Sequence, residues 1–204
     1  RKRFSESWNK VKGGDAGQQE WLDERYQKLF TSPLHPVRYA PTAKRTRRVV
    51  LGELYTGAGC PPCLAADLAF DSMLERYGRG DFVFVAYHQH IPRPDPMANA
   101  DTITRWKWLE GRGVPTYMID GVQITFGGGP RDWAPPLEKL LMERIDAQLE
   151  SAPLAGIKLA AKMDAQALTA AVEVEGITQE SKDLVLTLVL VEKQLTYSGE
   201  NSYR

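Results

Sequence analysis

The chain has 204 residues, 43% hydrophobic and 25% charged, with 26 Lys and Arg balancing 26 Asp and Glu. This composition excludes wholesale disorder, a collagen repeat and a coiled coil, and no run approaches the ~18 uninterrupted apolar residues of a membrane span. The neutral total divides unevenly, because residues 1–50 carry twelve basic residues against five acidic ones. A basic arm is therefore expected ahead of an acidic body, with Lys44-Arg45-Thr46-Arg47-Arg48 read as solvated charge before a strand and not as a nucleic-acid patch. Beginning at Arg1 without methionine, the chain is expected to be a soluble piece of a larger product.

Residues 1–16 are polar, basic and marked by glycine, which predicts a flexible arm. Trp21, Leu22, Tyr26, Leu29 and Phe30 recur at helical intervals and predict an amphipathic helix over Gln18–Phe30. Pro33, Pro36 and Pro41 make residues 31–48 a linker. Val49–Thr56 reads as a buried strand broken by Gly57-Ala58-Gly59, after which a helix opens at Cys60-Pro61-Pro62-Cys63 and runs to Tyr77. Phe82–Tyr87 is a second buried strand, followed by His88-Gln89-His90 and a proline-rich loop, 91–96. Ile103, Trp106 and Leu109 mark a helix over Asp101–Glu110, with Trp106 in the core and Trp108 partly exposed.

Val114–Ile119 and Val122–Phe126 flank Asp120-Gly121, a two-residue hairpin signal, and a helix is expected over Ala134–Glu150. The order β–α–β–α–β–β–α is that of an α/β domain whose first two strands, joined by a helical crossover, lie parallel. Leu154–Lys162, Ala167–Glu175 and Leu184–Lys193 then alternate apolar and polar residues. They predict a three-stranded antiparallel module with Ile157, Leu159, Val172, Val174, Leu186 and Leu188 on its buried face. The expected domains are an arm with one helix (1–46), an α/β domain (47–152) and a β-module (153–204).

Chemistry centres on the cysteines, of which there are two, Cys60 and Cys63. Two cysteines build neither a disulfide scaffold nor a four-thiolate zinc site. At a strand-to-helix junction, with two residues between them, they read as a reversible dithiol. Cys60 would sit exposed at the helix start, where the dipole favours a thiolate, and a more buried Cys63 would resolve a mixed disulfide. Pro61 and Pro62 remove two N–H donors, leaving the Cys63 and Leu64 amides, and no cation lies between the cysteines. The Cys60 thiol is accordingly expected only moderately below its ordinary value, with His88 the group most able to lower it further. His88 and His90 follow the second strand at the carboxyl edge of the sheet, where α/β sites are built. An alternative reading therefore makes Cys60, Cys63, His88 and His90 the ligand set of a copper- or zinc-binding chaperone.

The segments VVLGELYTGAGCPPCLAADLAF and GRGVPTYMIDG together resemble the thioredoxin superfamily over residues 47–150. The resemblance implies a thioredoxin-like fold with an N-terminal helical extension and a C-terminal antiparallel β-module. It implies Cys60 as nucleophile, Cys63 as resolving thiol, Pro115 as a cis-proline facing them, and Val114 as the residue whose backbone pairs with a bound substrate chain. The expected activity is thiol–disulfide oxidoreduction on protein thiols and disulfides, together with a redox partner and with no bound cofactor and no nucleic acid. The match is nearest to bacterial exported thioredoxin-like proteins with an added β-domain, which implies an extracytoplasmic, periplasmic setting. Two positions depart from thioredoxins proper: Gly59 stands where they have tryptophan, and Leu54 where they have a buried acid. Glu53 is adjacent, but strand alternation turns it to the other face.

Overall fold

The computed structural model describes residues 2–29, 31–124, 127–178, 184–193 and 195. The N-terminal arm is helical where glycine and charge alone predict a flexible lead-in. Helix α1 spans Lys2–Lys12 and α2 spans Gln18–Leu29. Phe4 and Trp8, four residues apart on one face of α1, meet Trp21 of α2, with ring centroids 6.1, 5.5 and 5.7 Å apart. Gly13, at φ 76°, closes α1 by donating its N–H to the Asn9 carbonyl. The expected helix end at Phe30 lies outside the described residues.

Strand β1 (Val50–Thr56) is buried on both sides and runs inside a four-stranded sheet of order β2-β1-β3-β4. β2 (Phe82–His88) lies parallel to it, with Val50 opposite Phe82 and Thr56 opposite His88. β3 (Thr116–Ile119) is antiparallel to β1, and β4 (Val122–Gln123) is antiparallel to β3. Asp120 and Gly121 both have positive φ, 49° and 76°, as a two-residue hairpin turn of the expected kind requires. Thr125 and Phe126, where β4 was expected to continue, lie outside the described residues.

The basic run before β1 is only partly solvated. Arg45 pairs with Asp81 at 2.8 Å and Arg48 with Asp120 at 2.8 Å, so two of these charges anchor the linker to the sheet. Charge pattern alone does not reveal such partners, because both aspartates are distant in sequence.

Helix α3 (Leu64–Arg76) and the later α5 (Ala134–Glu150) cover one face of the sheet. Leu54, Phe70, Met73, Tyr117, Leu141 and Ile145 form the main core there. Gly52 is required at its centre, because a Cβ would stand 2.5 Å from the Phe82 ring. Helix α4 (Ala100–Trp108) starts with an Asn99–Thr102 capping box. Its Trp106 joins Tyr55, Tyr87 and Met118 in a second cluster on the opposite face, whereas Trp108 is exposed. Alternation along β1 and β3 thus feeds both layers. Glu53 points into the second layer, where its carboxylate accepts from Arg105 Nη2 at 3.0 Å and the Tyr55 hydroxyl at 3.2 Å.

A second sheet pairs β5 (Gly156–Met163) with β6 (Leu168–Glu175), antiparallel, from Gly156 opposite Glu175 to Met163 opposite Leu168. The expected third strand is not formed among the described residues 184–193, and the expected buried face is open. Ile157, Leu159, Val174, Leu186 and Leu188 are exposed, and Val172 is half-buried. Alternation specifies pairing, but among the described residues the two-stranded ribbon has no second layer against which to bury its apolar face. Among the described residues no helix is long and apolar enough to cross a membrane.

Candidate active site

β1 delivers the chain to the carboxyl edge of the sheet at Thr56. The Gly57-Ala58-Gly59 turn follows, closed by the Cys60 N–H on the Gly57 carbonyl at 3.0 Å. The CPPC segment does not open an α-helix directly. Pro61–Cys63 form a single 3₁₀ turn with Cys60 in extended conformation at its start, and α3 begins at Leu64. Cys60 and Cys63 are joined as a disulfide with Cα atoms 5.4 Å apart. Cys63 is wholly buried, and Cys60, expected to be exposed, is only 6% exposed.

The amides that sequence reasoning left for a Cys60 thiolate are already engaged. Cys63 donates to the Cys60 carbonyl at 3.2 Å, Leu64 to the Pro61 carbonyl, and Ala65 to the Gly129 carbonyl at 3.3 Å. Proline at 61 and 62 removes the remaining early donors.

Three segments enclose the pair. On one side the Val114 carbonyl oxygen lies 3.8 Å from Cys60 Sγ, and the Val114–Pro115 bond is cis. Beside it, Gly129 donates its N–H to the Pro62 carbonyl at 2.8 Å. Gly128 packs so closely that a Cβ there would meet the Pro62 carbonyl oxygen and stand 2.7 Å from Pro115 Cδ. The Trp133 ring rests on Gly129, close to the same turn.

The third segment is the loop after β2, and its contribution is absent from the sequence reading. Residues 57, 58 and 59 are each matched by it. The Gly57 Cα packs on the Ile91 carbonyl, the Ala58 N–H donates to Asp95 Oδ2 at 2.5 Å, and Gly59 packs on the Arg93 guanidinium. Asp95 is buried and organises the loop: it also accepts from His88 Nδ1 at 2.9 Å and from the Met97 N–H at 2.8 Å, while its own N–H donates to His90 Nδ1 at 3.0 Å. Burial by itself would raise the Asp95 carboxyl, but the hydrogen bonds from His88, Ala58 and Met97 outweigh it and hold the group below its ordinary value. The available signal was a lone carboxylate in the segment Pro-Arg-Pro-Asp-Pro: a proline-rich loop laid against a turn needs an acceptor for the turn's N–H groups.

Both histidines are thus committed through Nδ1 to Asp95. Among the described residues no group of three or more His, Cys, Asp or Glu is placed to hold a metal ion, so Cys60, Cys63, His88 and His90 are not gathered as a ligand set. At the end of β1, Thr56 is buried and donates its hydroxyl to Asp67 Oδ1 at 2.9 Å, one helical turn beyond Cys63. No family model, curated protein or solved structure matches this chain.

Proposed function

We propose that this chain is a thiol–disulfide oxidoreductase of thioredoxin-like architecture, exchanging disulfides with protein substrates through Cys60 and Cys63. The observation that carries this reading is the position of the pair. It sits at the carboxyl end of β1, at the start of the crossover to β2, with the Val114 carbonyl 3.8 Å from Cys60 Sγ. The order of the elements from β1 to α5 supports the same architecture, with parallel β1 and β2 and an antiparallel β3–β4 hairpin.

Starting from the dithiol, the Cys60 thiolate attacks one sulfur of a substrate disulfide, forming a mixed disulfide and releasing the first substrate thiolate. Cys63, deprotonated, then attacks Cys60 Sγ and releases the second. Two electrons pass to the substrate, and the Cys60–Cys63 disulfide remains. The reverse sequence oxidises a substrate dithiol. An extended substrate segment lying along Val114 would pair with its backbone and bring its own sulfur to Cys60. An extracytoplasmic compartment belongs to this reading, since such a disulfide persists where the thiol pool is oxidising.

Reduction of a protein disulfide such as that of insulin, with dithiothreitol as the electron source and followed by turbidity, tests the reading. The native chain is expected to turn over. Cys63→Ser should accumulate a mixed disulfide at Cys60, and Cys60→Ser should lose all exchange. In the reduced protein Cys60 should alkylate before Cys63. Absence of turnover, or faster labelling of Cys63, overturns the assignment.

A further inference from the structure

Gly59 and Arg93 fit one another. A Cβ at residue 59 would stand 2.5 Å from Arg93 Nε and 3.2 Å from both Cζ and Nη2, so the guanidinium occupies the space any side chain there would need. The next residue is Cys60. We propose that Arg93 is the thiolate-stabilising residue of this site: its guanidinium, laid over Gly59, supplies the positive charge that the CPPC turn itself lacks. This inference rests on the exchange reading and names the group that activates its nucleophile.

Two observations make such a charge necessary. The N–H groups of Cys63, Leu64 and Ala65 are spent on the carbonyls of Cys60, Pro61 and Gly129, and Pro61 and Pro62 have none to offer. The α-helix proper begins only at Leu64, so its dipole acts on Cys60 across an intervening 3₁₀ turn, and such dipole effects fade within about one turn. A thiolate at Cys60 would therefore depend on a side-chain cation.

The backbone that carries Arg93 is held in place. Its loop is fastened to the turn on both sides of Gly59, by Ile91 against Gly57 and by Asp95 on the Ala58 N–H. A planar guanidinium, charged at every working pH, suits this role better than an imidazole. The charged groups near the turn are placed as follows. Asp95 carries its negative charge among Ala58, Met97 and His88. His88 and His90 are bonded to Asp95. Asp67 on α3 is bonded by Thr56, and Arg131 and Asp132 follow Gly129 as an oppositely charged pair in sequence. From β3 and the residues leading into it, Val114, Pro115 and Thr116 bring no charge, and Arg112 ahead of them is exposed.

The chain has two cysteines, so a Cys63→Ser background leaves Cys60 as its sole thiol. Its thiolate absorbance near 240 nm is followed against pH, at low and high salt, in that background and with Arg93→Gln, Arg93→Lys, His88→Gln or Gly59→Ala added. Arg93→Gln is expected to reduce the thiolate fraction at pH 6 roughly threefold to tenfold. Arg93→Lys should restore part of it, Gly59→Ala should act like Arg93→Gln by displacing the guanidinium, and added salt should shrink the difference. A midpoint unmoved by Arg93→Gln, or moved by His88→Gln instead, overturns the inference. Insulin reduction by the two-cysteine chain separates the two claims. An unmoved midpoint in a chain that turns over defeats the Arg93 inference alone. An Arg93-dependent midpoint in a chain without turnover supports the inference about the thiol and defeats the exchange reading.

Discussion

Replacing Asp95 by alanine removes the link between the post-β2 loop and the turn that carries Cys60. Three donors lose their acceptor together: the Ala58 N–H at 2.5 Å, the Met97 N–H at 2.8 Å and His88 Nδ1 at 2.9 Å. Hydrogen bonds to a charged group contribute about 1.5–3 kcal/mol each, but the loop lies near the surface and water can replace part of what is lost. Desolvation of the carboxylate, whose side chain is 2% exposed, offsets a further part. The expected loss is about 2–4 kcal/mol for Asp95→Ala, and about half that for Asp95→Asn, which keeps one acceptor oxygen. The charge also carries a pH signature. A carboxyl held below its ordinary value of 3.8 in the folded state stabilises the protein above that value, and the contribution disappears as pH falls through the folded-state value. The native chain should therefore lose stability below about pH 4 by a component that Asp95→Asn lacks. Urea unfolding at pH 7 and at a series of acidic pH values measures both effects, and amide hydrogen exchange at Ala58 reports the local one. An Asp95→Ala protein with an unchanged unfolding midpoint, and with the native pH dependence intact, would refute the role given to this residue.

Two further substitutions probe the surroundings of the site. Gly128→Ala should cost about 1–3 kcal/mol in urea unfolding and slow insulin reduction, because its Cβ is driven against Pro62 and Pro115 Cδ; full stability would mean that the loop yields freely. Glu53→Gln leaves the Arg105 charge with a neutral partner, and since Arg105 is 29% exposed the expected cost is about 1–3 kcal/mol, at the low end for a buried pair. Its Cys60 titration should not move, because Glu53 faces the α4 layer; a shifted midpoint would place Glu53 in the site instead.

The α/β order, the parallel β1–β2 pair, the Asp120-Gly121 turn and the strand-to-helix placement of Cys60 and Cys63 all follow from local information. Apolar periodicity says which face of an element is buried, and glycine, proline and asparagine-like turn residues say where it stops. The orientation of Glu53 away from α3 was legible for the same reason, since alternation is a property of the strand itself. Periodicity does not say what lies against a face. Phe4 and Trp8 become a helix face only because Trp21 stands opposite, and Ile157 and Leu159 alternate as buried residues do while no second layer covers them among the described residues. The proline-rich loop shows the limit most clearly. Arg93 and Asp95 lie more than thirty residues from Cys60 in a segment without periodicity, and only the folding of that loop onto Gly57, Ala58 and Gly59 brings them to the turn that precedes the cysteine. Local sequence therefore decided where the cysteine pair sits, and tertiary contact decided which charges stand at the turn before it, because an electrostatic environment is summed through space and not along the chain.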